Sequence, residues 1–428
     1  MRILMMTNNY MPFIGGVSIS VERLSQDLRA RGNSVLVMAP EYENQWNDEN
    51  TLRIKTFHIK SQNRTYAVPN PFDNRIRREV ESFNPDIIHV HHPFLTGNAG
   101  MVLSHRYNIP LVFTYHTNYE QYLHYIKPYK LISDRYEKEQ VRLLRKAEGS
   151  AVHFIKDRLV PGYTRGFCNR CNMIFSPTGS IKSQLQERGI TSHIRVLPTG
   201  LKESVYVRDQ DASGRIRARY KGSLPFLFCS VSRLSKEKNL DFLFRCIRLL
   251  KDKAGDCFRM LLIGDGPEKD HLEVLARQLG ITNNVVFINS VLNREIADYY
   301  NACDAFLFAS KSETQGIVLL EAMAARNPVV AVRASGVTDV VKNGSNGYIT
   351  EEDEEEWSDK VLSLMNNPYE IKALGAVAFD TAKCYSGLEI AAKAEGNYLE
   401  LLRIKEGRLE ERYGTVNAST SDMRNWMY

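Results

Sequence analysis

The sequence has 428 residues, of which 43% are hydrophobic and 25% are charged, and its formal net charge is +6. This composition is typical of a globular enzyme and excludes a disordered or fibrous protein, while the length predicts two domains. No apolar run approaches the roughly 18 residues of a membrane-spanning helix, and the sequence predicts no signal peptide. The seven cysteines are odd in number and scattered, so we expect reduced thiols in a cytoplasmic protein.

The first half of the chain alternates short apolar runs with helical patterns. A helix is predicted over 18–31, where apolar residues recur at helical spacing and Gly32 ends the pattern. Strands are predicted at 2–6, 34–38, 54–59, 86–90, 111–115, 173–176 and 194–197. Continuous apolar strands separated by helices predict a parallel sheet that is covered on both faces.

The same alternation begins again after a turn-rich linker at 198–201. Strands are predicted at 224–232, 258–263, 285–288, 304–309 and 329–332, and helices at 240–251, 269–279 and 316–325. We therefore expect an α/β protein whose two domains, 1–198 and 199–384, face each other across a ligand-binding cleft. A helix at 385–405 is expected to cross back onto the first domain, and 406–428 to form a mobile tail.

Two glutamates, Glu313 and Glu321, lie on either side of the start of an apolar helix. Between them, Gln315 and Gly316 place backbone N–H groups at the helix start, where unpaired N–H groups and the helix dipole attract phosphate. Two carboxylates that face one cleft can accept hydrogen bonds from neighbouring sugar hydroxyls. This pattern predicts a binding site for a sugar nucleotide.

Two cations, Arg233 and Lys238, follow a predicted strand of the same domain. A diphosphate leaving group gains negative charge as its bond to a sugar breaks, and two fixed cations can stabilise that charge without a metal ion. Because the phosphate and sugar signals lie in one domain, we expect a single donor site with neither a metal nor a resident cofactor.

These motifs resemble those of the family-4 retaining glycosyltransferases of GT-B fold, which have two Rossmann-like domains. The resemblance spans about 1–404 and rests on Arg-x4-Lys, the turn formed by Gly264, Asp265 and Gly266, and Glu-x7-Glu. It implies that the 264–266 turn lies beside the base and ribose of the donor. It also implies pyrophosphate contacts from Arg233 and Lys238, sugar contacts from Glu313, ribose contacts from Glu321, and sugar and phosphate contacts from the amides of Gln315, Gly316 and Ile317.

Residues of the first domain join this expected site. Gly15 and Gly16 follow the first strand, and paired glycines permit positive φ and a close backbone approach to a ligand, although they can also form a simple tight turn. The resemblance implies that this loop meets the donor phosphates. It also places His116, at a strand end, near the reacting sugar, where its backbone or ring helps to stabilise an oxocarbenium-like transition state.

Within the family, the stretch 114–126 and the basic segment after it make the chain similar to diacylglycerol glucosyltransferases. Residues 127–170 include eleven Lys or Arg against five Asp or Glu, with aromatic and apolar residues between them. This pattern suits either a solvated helix face or a helix on an anionic bilayer. We therefore expect transfer of glucose from UDP-glucose to a lipid hydroxyl, such as that of diacylglycerol, at the inner face of the plasma membrane.

Two alternatives remain open at this point. One is a transferase that uses GDP-mannose or another nucleotide sugar with a soluble glycan or small-molecule acceptor, and the other is a nucleotide-sugar-binding protein without turnover. A nucleic-acid partner is not expected, because the positive charge is confined to one stretch and no recognised binding module accompanies it.

Four further patterns are interpreted as structural. The Asp209-x-Asp211 pair has no preceding strand, Cys168 and Cys171 have no second cysteine pair, and the His89-x-His91-His92 spacing has no nearby carboxylate. The acidic run at 351–356 is expected to begin a helix, since carboxylates are favourable at a helix N-terminus.

Overall fold

The structure is a computed structural model that describes residues 1–13, 15–45, 48–61, 64–116, 158–292 and 295–422, without the side chains of 59–61, 64–66 and 408–422. It contains two compact units. The first comprises Met1–Pro177, Lys182–Leu197 and Ile390–Tyr428, and the second comprises Thr178–Ile181 and Pro198–Glu389. For comparison, the sequence placed the domain boundaries at 198/199 and 384/385.

The first unit is built on a parallel sheet of seven strands. Along the described chain, the strands are β1 (Arg2–Met6), β2 (Ser34–Pro40), β3 (Thr51–Ile54), β4 (Thr56–Ser61), β5 (Arg64–Pro69), β6 (Ile87–Val90), β7 (Leu111–Thr114), β8 (Met173–Ser176) and β9 (His193–Val196). The sheet order is β3-β2-β1-β6-β7-β8-β9. The helices are α1 (Gly16–Ala30), α2 (Asn74–Phe83), α3 (Thr96–Tyr107), α4 (Val160–Cys168) and α5 (Gly179–Glu187).

The strand predicted over 54–59 is wrong, because two separate strands occupy this stretch. Lys55 lies between them, and its N–H donates to Asp73 Oδ2 at 2.8 Å. After Lys55 the chain leaves the parallel sheet, and β4 pairs antiparallel with β5 in a two-stranded hairpin. A carboxylate 18 positions further along the chain therefore decides where β3 ends.

The second unit is built on a parallel sheet of six strands. The strands are β10 (Phe226–Val231), β11 (Phe258–Ile263), β12 (Val285–Ile288), β13 (Ala305–Phe308), β14 (Val329–Val332) and β15 (Gly347–Thr350), in the order β12-β11-β10-β13-β14-β15. The helices are α6 (Gln210–Lys221), α7 (Leu240–Ala254), α8 (Lys269–Gln278), α9 (Ile296–Ala302), α10 (Ile317–Ala324), α11 (Val337–Val340), α12 (Glu354–Asn366) and α13 (Pro368–Lys383). The sequence did not predict β15, α6, α9, α11 or α13.

In both sheets the strand order reverses direction after the first strand of the unit. The reversal lies between β1 and β6 in the first sheet and between β10 and β13 in the second. This is the doubly wound, Rossmann-like arrangement, in which ligands bind beyond the carboxyl ends of the strands at the reversal. The predicted fold class is therefore confirmed, and the topology identifies the loops after β1 and β6 and after β10 and β13 as the candidate ligand-binding loops.

The last helix, α14 (Gly387–Asp422), packs on the sheet of the first unit. Its buried residues include Ile390, Ala394 and Tyr398, which share a core with strand residues such as Met5 and Phe175. The prediction that the carboxyl-terminal helix returns to the first domain is confirmed. The helix continues past its predicted end, whereas the mobility of 406–428 stays a prediction. Within the described residues, no helix has the length and apolar character needed to span a membrane.

Candidate functional site

The reversal point of the second sheet carries the residues that the sequence linked to a nucleotide sugar. Arg233 and Lys238 lie in the loop after β10, and Glu313 lies in the loop after β13. These two strands are neighbours in the sheet, so their carboxyl-terminal loops lie at one edge. Parallel pairing thus brings together motifs that are separated by 75 positions in the sequence.

Lys238 and Glu313 form an ion pair at this edge. Lys238 Nζ donates to Glu313 Oε1 at 2.6 Å, and Ser310 Oγ donates to the same oxygen at 2.8 Å. The two charged side chains are only 16% and 15% exposed. Partial burial strengthens such a pair by reducing solvent screening. The sequence predicted both charged residues, but it did not predict that Ser310 orients the carboxylate.

A residue of the acidic run connects the same two loops. Glu352 Oε1 accepts from Asn239 Nδ2 at 2.8 Å, and Glu352 Oε2 accepts from Lys311 Nζ at 2.6 Å. The hydrogen bond from Lys311 holds the pKa of Glu352 below its usual value. The run also begins a helix as predicted, since Asp353 accepts from the N–H of Glu356 at the start of α12.

The helix that follows the second loop begins where the sequence predicted a phosphate site. Gly316 is the N-cap of α10, with φ 72° and ψ 54°, a left-handed conformation that favours glycine. A Cβ at this position would also lie 2.8 Å from Leu319 Cδ1. The amides of Gln315, Gly316 and Ile317 therefore lie at the positive end of the helix dipole.

The side chain of Gln315 has a role that the sequence did not reveal. It is 4% exposed, its Oε1 accepts from the N–H of Thr199 at 2.6 Å, and its Nε2 donates to the carbonyl of Thr199 at 3.0 Å. Gln315 therefore connects the start of α10 to the linker after β9. Glu321 lies on α10 itself, with Oε2 3.5 Å from the hydroxyl of Tyr300.

The 264–266 turn packs directly on the loop that carries Arg233. Leu234 N–H donates to the carbonyl of Asp265 at 3.0 Å. A Cβ on Gly264 would lie 1.9 Å from the carbonyl oxygen of Ser232, and a Cβ on Gly266 would lie 2.2 Å from that of Leu234. The glycines therefore allow two backbones to touch. The contact of this turn with the donor base stays a prediction.

At the reversal point of the first sheet, the loops after β1 and β6 are joined through Asn8. Its N–H donates to His92 Nδ1 at 3.1 Å, and its Oδ1 accepts from the hydroxyl of Thr96 at 2.6 Å. Asn8 was not identified from the sequence. The first loop then leads to α1, which begins at Gly16.

The paired glycines of this loop do not adopt the positive φ that glycine permits. Gly15 is the N-cap of α1 with φ −164°, and neither Gly15 nor Gly16 is among the left-handed residues. Instead, Gly15 N–H donates to Ser18 Oγ at 2.9 Å, and that hydroxyl donates to the carbonyl of Gly15 at 3.0 Å. A Cβ on Gly16 would meet no described atom within 4 Å.

His116 lies just after β7 and contacts a histidine of the neighbouring strand end. His91 Nδ1 is 2.9 Å from His116 Nε2, and the two rings are stacked. Burial lowers the pKa of His89 to about 3 and that of His92 to about 4, and it holds the pKa values of His91 and His116 well below the usual value. These imidazoles are therefore neutral near pH 7.

Other predicted features have plain structural roles. Asp209 accepts from the N–H of Ala212 and caps α6. Burial raises the pKa of Cys168 to about 12, so this thiol is protonated at neutral pH, as a structural cysteine should be. Of the basic segment at 127–170, residues up to 157 lie outside the described part of the chain.

Comparisons with known proteins agree with this arrangement. The model of "Glycosyltransferase Family 4" matches residues 14–204, and that of "Glycosyl transferases group 1" matches residues 216–378. An alpha-monoglucosyldiacylglycerol synthase of Acholeplasma laidlawii is 27% identical over 424 residues, which cover 96% of this chain and 100% of the relative. The enzyme of the same name from Streptococcus pneumoniae is 29% identical, over 77% of this chain and 71% of the relative.

Among solved structures, the sucrose-phosphate synthase of Thermosynechococcus elongatus superposes with a TM-score of 0.73 at 17% identity, covering 94% of this chain and 99% of that protein. At this level of identity the likeness shows the fold alone. The two family models and the shared fold together cover both units of the chain.

Proposed function

The chain belongs to the group 1/family 4 glycosyltransferases of GT-B fold, and we propose that it moves glucose from UDP-glucose to a lipid hydroxyl, such as that of diacylglycerol, with retention of configuration. The observation that carries the proposal is the ion pair of Lys238 and Glu313 at the reversal point of the second sheet. A cation for the diphosphate and a carboxylate for the sugar are held there by adjacent loops.

Donor binding exchanges partners within this pair. In the structure, the carboxylate of Glu313 neutralises Lys238, with Nζ and Oε1 2.6 Å apart. A bound diphosphate offers Lys238 several charged oxygens at once, and Arg233 adds a planar guanidinium that suits phosphate. Glu313 then turns its acceptor oxygens to the sugar hydroxyls, with Ser310 still bonded to one of them. The amides at the start of α10 provide further donors to sugar and phosphate.

The transfer step follows from these positions. The bond between the anomeric carbon and the β-phosphate oxygen breaks, and the electron pair goes to the phosphate, where Arg233 and Lys238 stabilise the new charge. The acceptor oxygen attacks the anomeric carbon from the same face, and its proton goes to the departing phosphate oxygen. Retention then needs no protein nucleophile. Burial holds the pKa of His116 well below its usual value, so in the proposed role its neutral imidazole would not repel a cationic sugar.

A lipid acceptor is supported by the names of the two bacterial relatives and by exposed residues of α4 and of the two positions before it. Leu159 and Tyr163 are 54% and 37% exposed, and Arg158 and Arg165 are exposed beside them. Exposed apolar side chains next to cations favour contact with an anionic bilayer surface. We therefore place the working enzyme at the cytoplasmic membrane surface, with neither a metal ion nor a resident cofactor.

A donor and acceptor assay tests the proposal. The purified protein is mixed with vesicles of phosphatidylglycerol, phosphatidylcholine and diacylglycerol, and with radiolabelled UDP-glucose, UDP-galactose or GDP-mannose in separate reactions. We expect label in the lipid phase from UDP-glucose, with the α-anomer found by NMR of the product. Label transferred only from GDP-mannose, or only to a soluble acceptor, would overturn the proposal. Donor binding without transfer would favour a binding protein.

Variants of the loop after β10 provide the mechanistic test. Lys238→Ala should lower kcat by about 100-fold or more, since it removes a cation that acts on the departing phosphate. Lys236→Ala is the matched control, because Lys236 is an exposed lysine of the same short turn. Equal rates in the two variants would exclude the role assigned to Lys238.

A further inference from the structure

A buried tyrosine of the last helix contacts the histidines at the carboxyl edge of the first sheet. Tyr398 lies on α14 and has no exposed surface, and its hydroxyl is 2.8 Å from His89 Nδ1. The other ring nitrogen of His89, Nε2, is 2.6 Å from Thr114 Oγ1. His89 is therefore held at both nitrogens, by α14 on one side and by β7 on the other.

This pattern assigns the proton of the His89 ring. A neutral imidazole has one donor nitrogen and one acceptor nitrogen, and a phenol buried away from water needs an acceptor for its proton. Tyr398 is fully buried, whereas Thr114 is 6% exposed, so the phenol has the stronger need of an acceptor within the protein. Tyr398 therefore donates to Nδ1, and His89 donates from Nε2 to Thr114.

His89 also packs on the pair that contains His116. The ring centroids of His89 and His91 are 4.2 Å apart, with 36° between the planes. His91 has no exposed surface, and within the described part of the chain its Nε2 has no hydrogen-bond partner. As with backbone groups, a buried unpaired acceptor is tolerated better than a buried unpaired N–H. His91 therefore donates from Nδ1 to His116 Nε2, which lies 2.9 Å away.

We propose that Tyr398 is a positioning residue for sugar transfer, which fixes the ring orientation of His116 through the packed rings of His89 and His91. The inference rests on the proposed function, because it takes His116 to border the reacting sugar. With its Nε2 accepting from His91, neutral His116 carries its proton on Nδ1. The crossover helix thereby contributes to the chemistry of the first unit as well as to its core.

The test removes one oxygen atom from the end of this network. In Tyr398→Phe, Nδ1 of His89 loses its donor in a buried site, so the His89 proton is no longer held on Nε2 and the stacked rings lose their fixed arrangement. We expect kcat to fall about tenfold, with KM for the donor within about twofold of wild type, because ground-state binding of the donor is untouched. Thr114→Val removes the partner of the other nitrogen and should show the same split.

Two further measurements separate positioning from general loosening. Ile390→Val changes the same helix and the same hydrophobic core. Its kcat, measured at the same number of degrees below its own melting temperature, should match that of wild type. Two-bond proton–nitrogen NMR of the imidazoles, recorded without substrate, should show the Nε2–H form of His89 in wild type. It should show shifted His116 signals in both hydroxyl-deletion variants.

The inference would be overturned if the His116 signals did not move in either hydroxyl-deletion variant. It would also be overturned if Ile390→Val lost as much kcat as Tyr398→Phe. A wild-type protein that transfers no sugar from any donor would instead refute the proposed function. The NMR comparison needs no turnover, so it decides whether Tyr398 orients His116 in that case as well.

Discussion

Adding one methyl group to Gly266 tests whether the 264–266 turn controls the donor cations. The Cβ of Gly266→Ala would lie 2.2, 2.6 and 2.7 Å from the carbonyl oxygen, carbonyl carbon and amide nitrogen of Leu234. All three are backbone atoms, so no side-chain rotation can relieve the overlap. No left-handed φ is recorded at Gly266, which leaves the overlap as the main effect of the substitution.

The expected magnitude follows from these distances. Ordinary van der Waals contact begins at 3.4 Å, so the loop after β10 and the turn must separate by about 1.2 Å. Overpacking of this kind lowers the free energy of unfolding by about 1–3 kcal/mol. Arg233 adjoins the displaced Leu234, and a displacement near 1 Å can reduce turnover by about 100-fold. We expect kcat/KM for the donor to fall by about that factor.

The assay compares Gly266→Ala with Gly214→Ala. Gly214 lies in α6, and a Cβ there would meet nothing within 4 Å, so the control should keep wild-type kinetics and unfold at an equal or higher urea concentration. Steady-state transfer and urea unfolding are measured for both variants. A Gly266→Ala protein that loses stability but keeps its kcat/KM would refute the coupling between this turn and Arg233.

Two more outcomes follow from the structure. Gln315→Ala should lower the free energy of unfolding by about 2 kcal/mol, because two hydrogen bonds to Thr199 are lost. An unchanged midpoint of urea unfolding would contradict the role of this side chain. Burial tends to raise the pKa of Asp73, but hydrogen bonds from the Arg75 side chain and from the backbone N–H groups of Lys55 and Arg75 outweigh it and lower the pKa to about 2. Asp73 should therefore stabilise the fold by about 2 kcal/mol above pH 4, and this stabilisation should be lost as the pH falls toward 2. The free energies of unfolding in urea of wild type and Asp73→Asn should differ at pH 7 and converge near pH 2.

Much of the fold could be predicted from the sequence, because strands buried on both faces must be almost continuously apolar. Residues 258–263 and 329–332 were predicted with the bounds of β11 and β14. The prediction of a single strand over 54–59 was wrong because the interruption at Lys55 depends on Asp73. The carboxylate of Asp73 lies beyond the hairpin in the sequence and accepts a hydrogen bond from the Lys55 N–H. Short elements such as α11, with four residues, carry too few positions for a period to be recognised.

The candidate site was found from the sequence to the extent that its chemistry is local. Arg233 and Lys238 share one loop, and Glu313 and Glu321 share one loop and helix, so spacing alone identified them. The sequence led us to expect that the two motifs form one donor site, and the parallel pairing of β10 with β13 is the physical reason that Lys238 contacts Glu313.

Partners supplied by distant parts of the chain could be decided only by the tertiary structure. Tyr398 contacts His89 across 309 positions, and Gln315 contacts Thr199 across 116. In the sequence, Tyr398 is one apolar position of an amphipathic helix, and Gln315 is one of several consecutive polar residues before Gly316. A side chain's burial and its hydrogen-bond partner are properties of the packed core, so periodicity can place a residue on a face but cannot determine what that face meets.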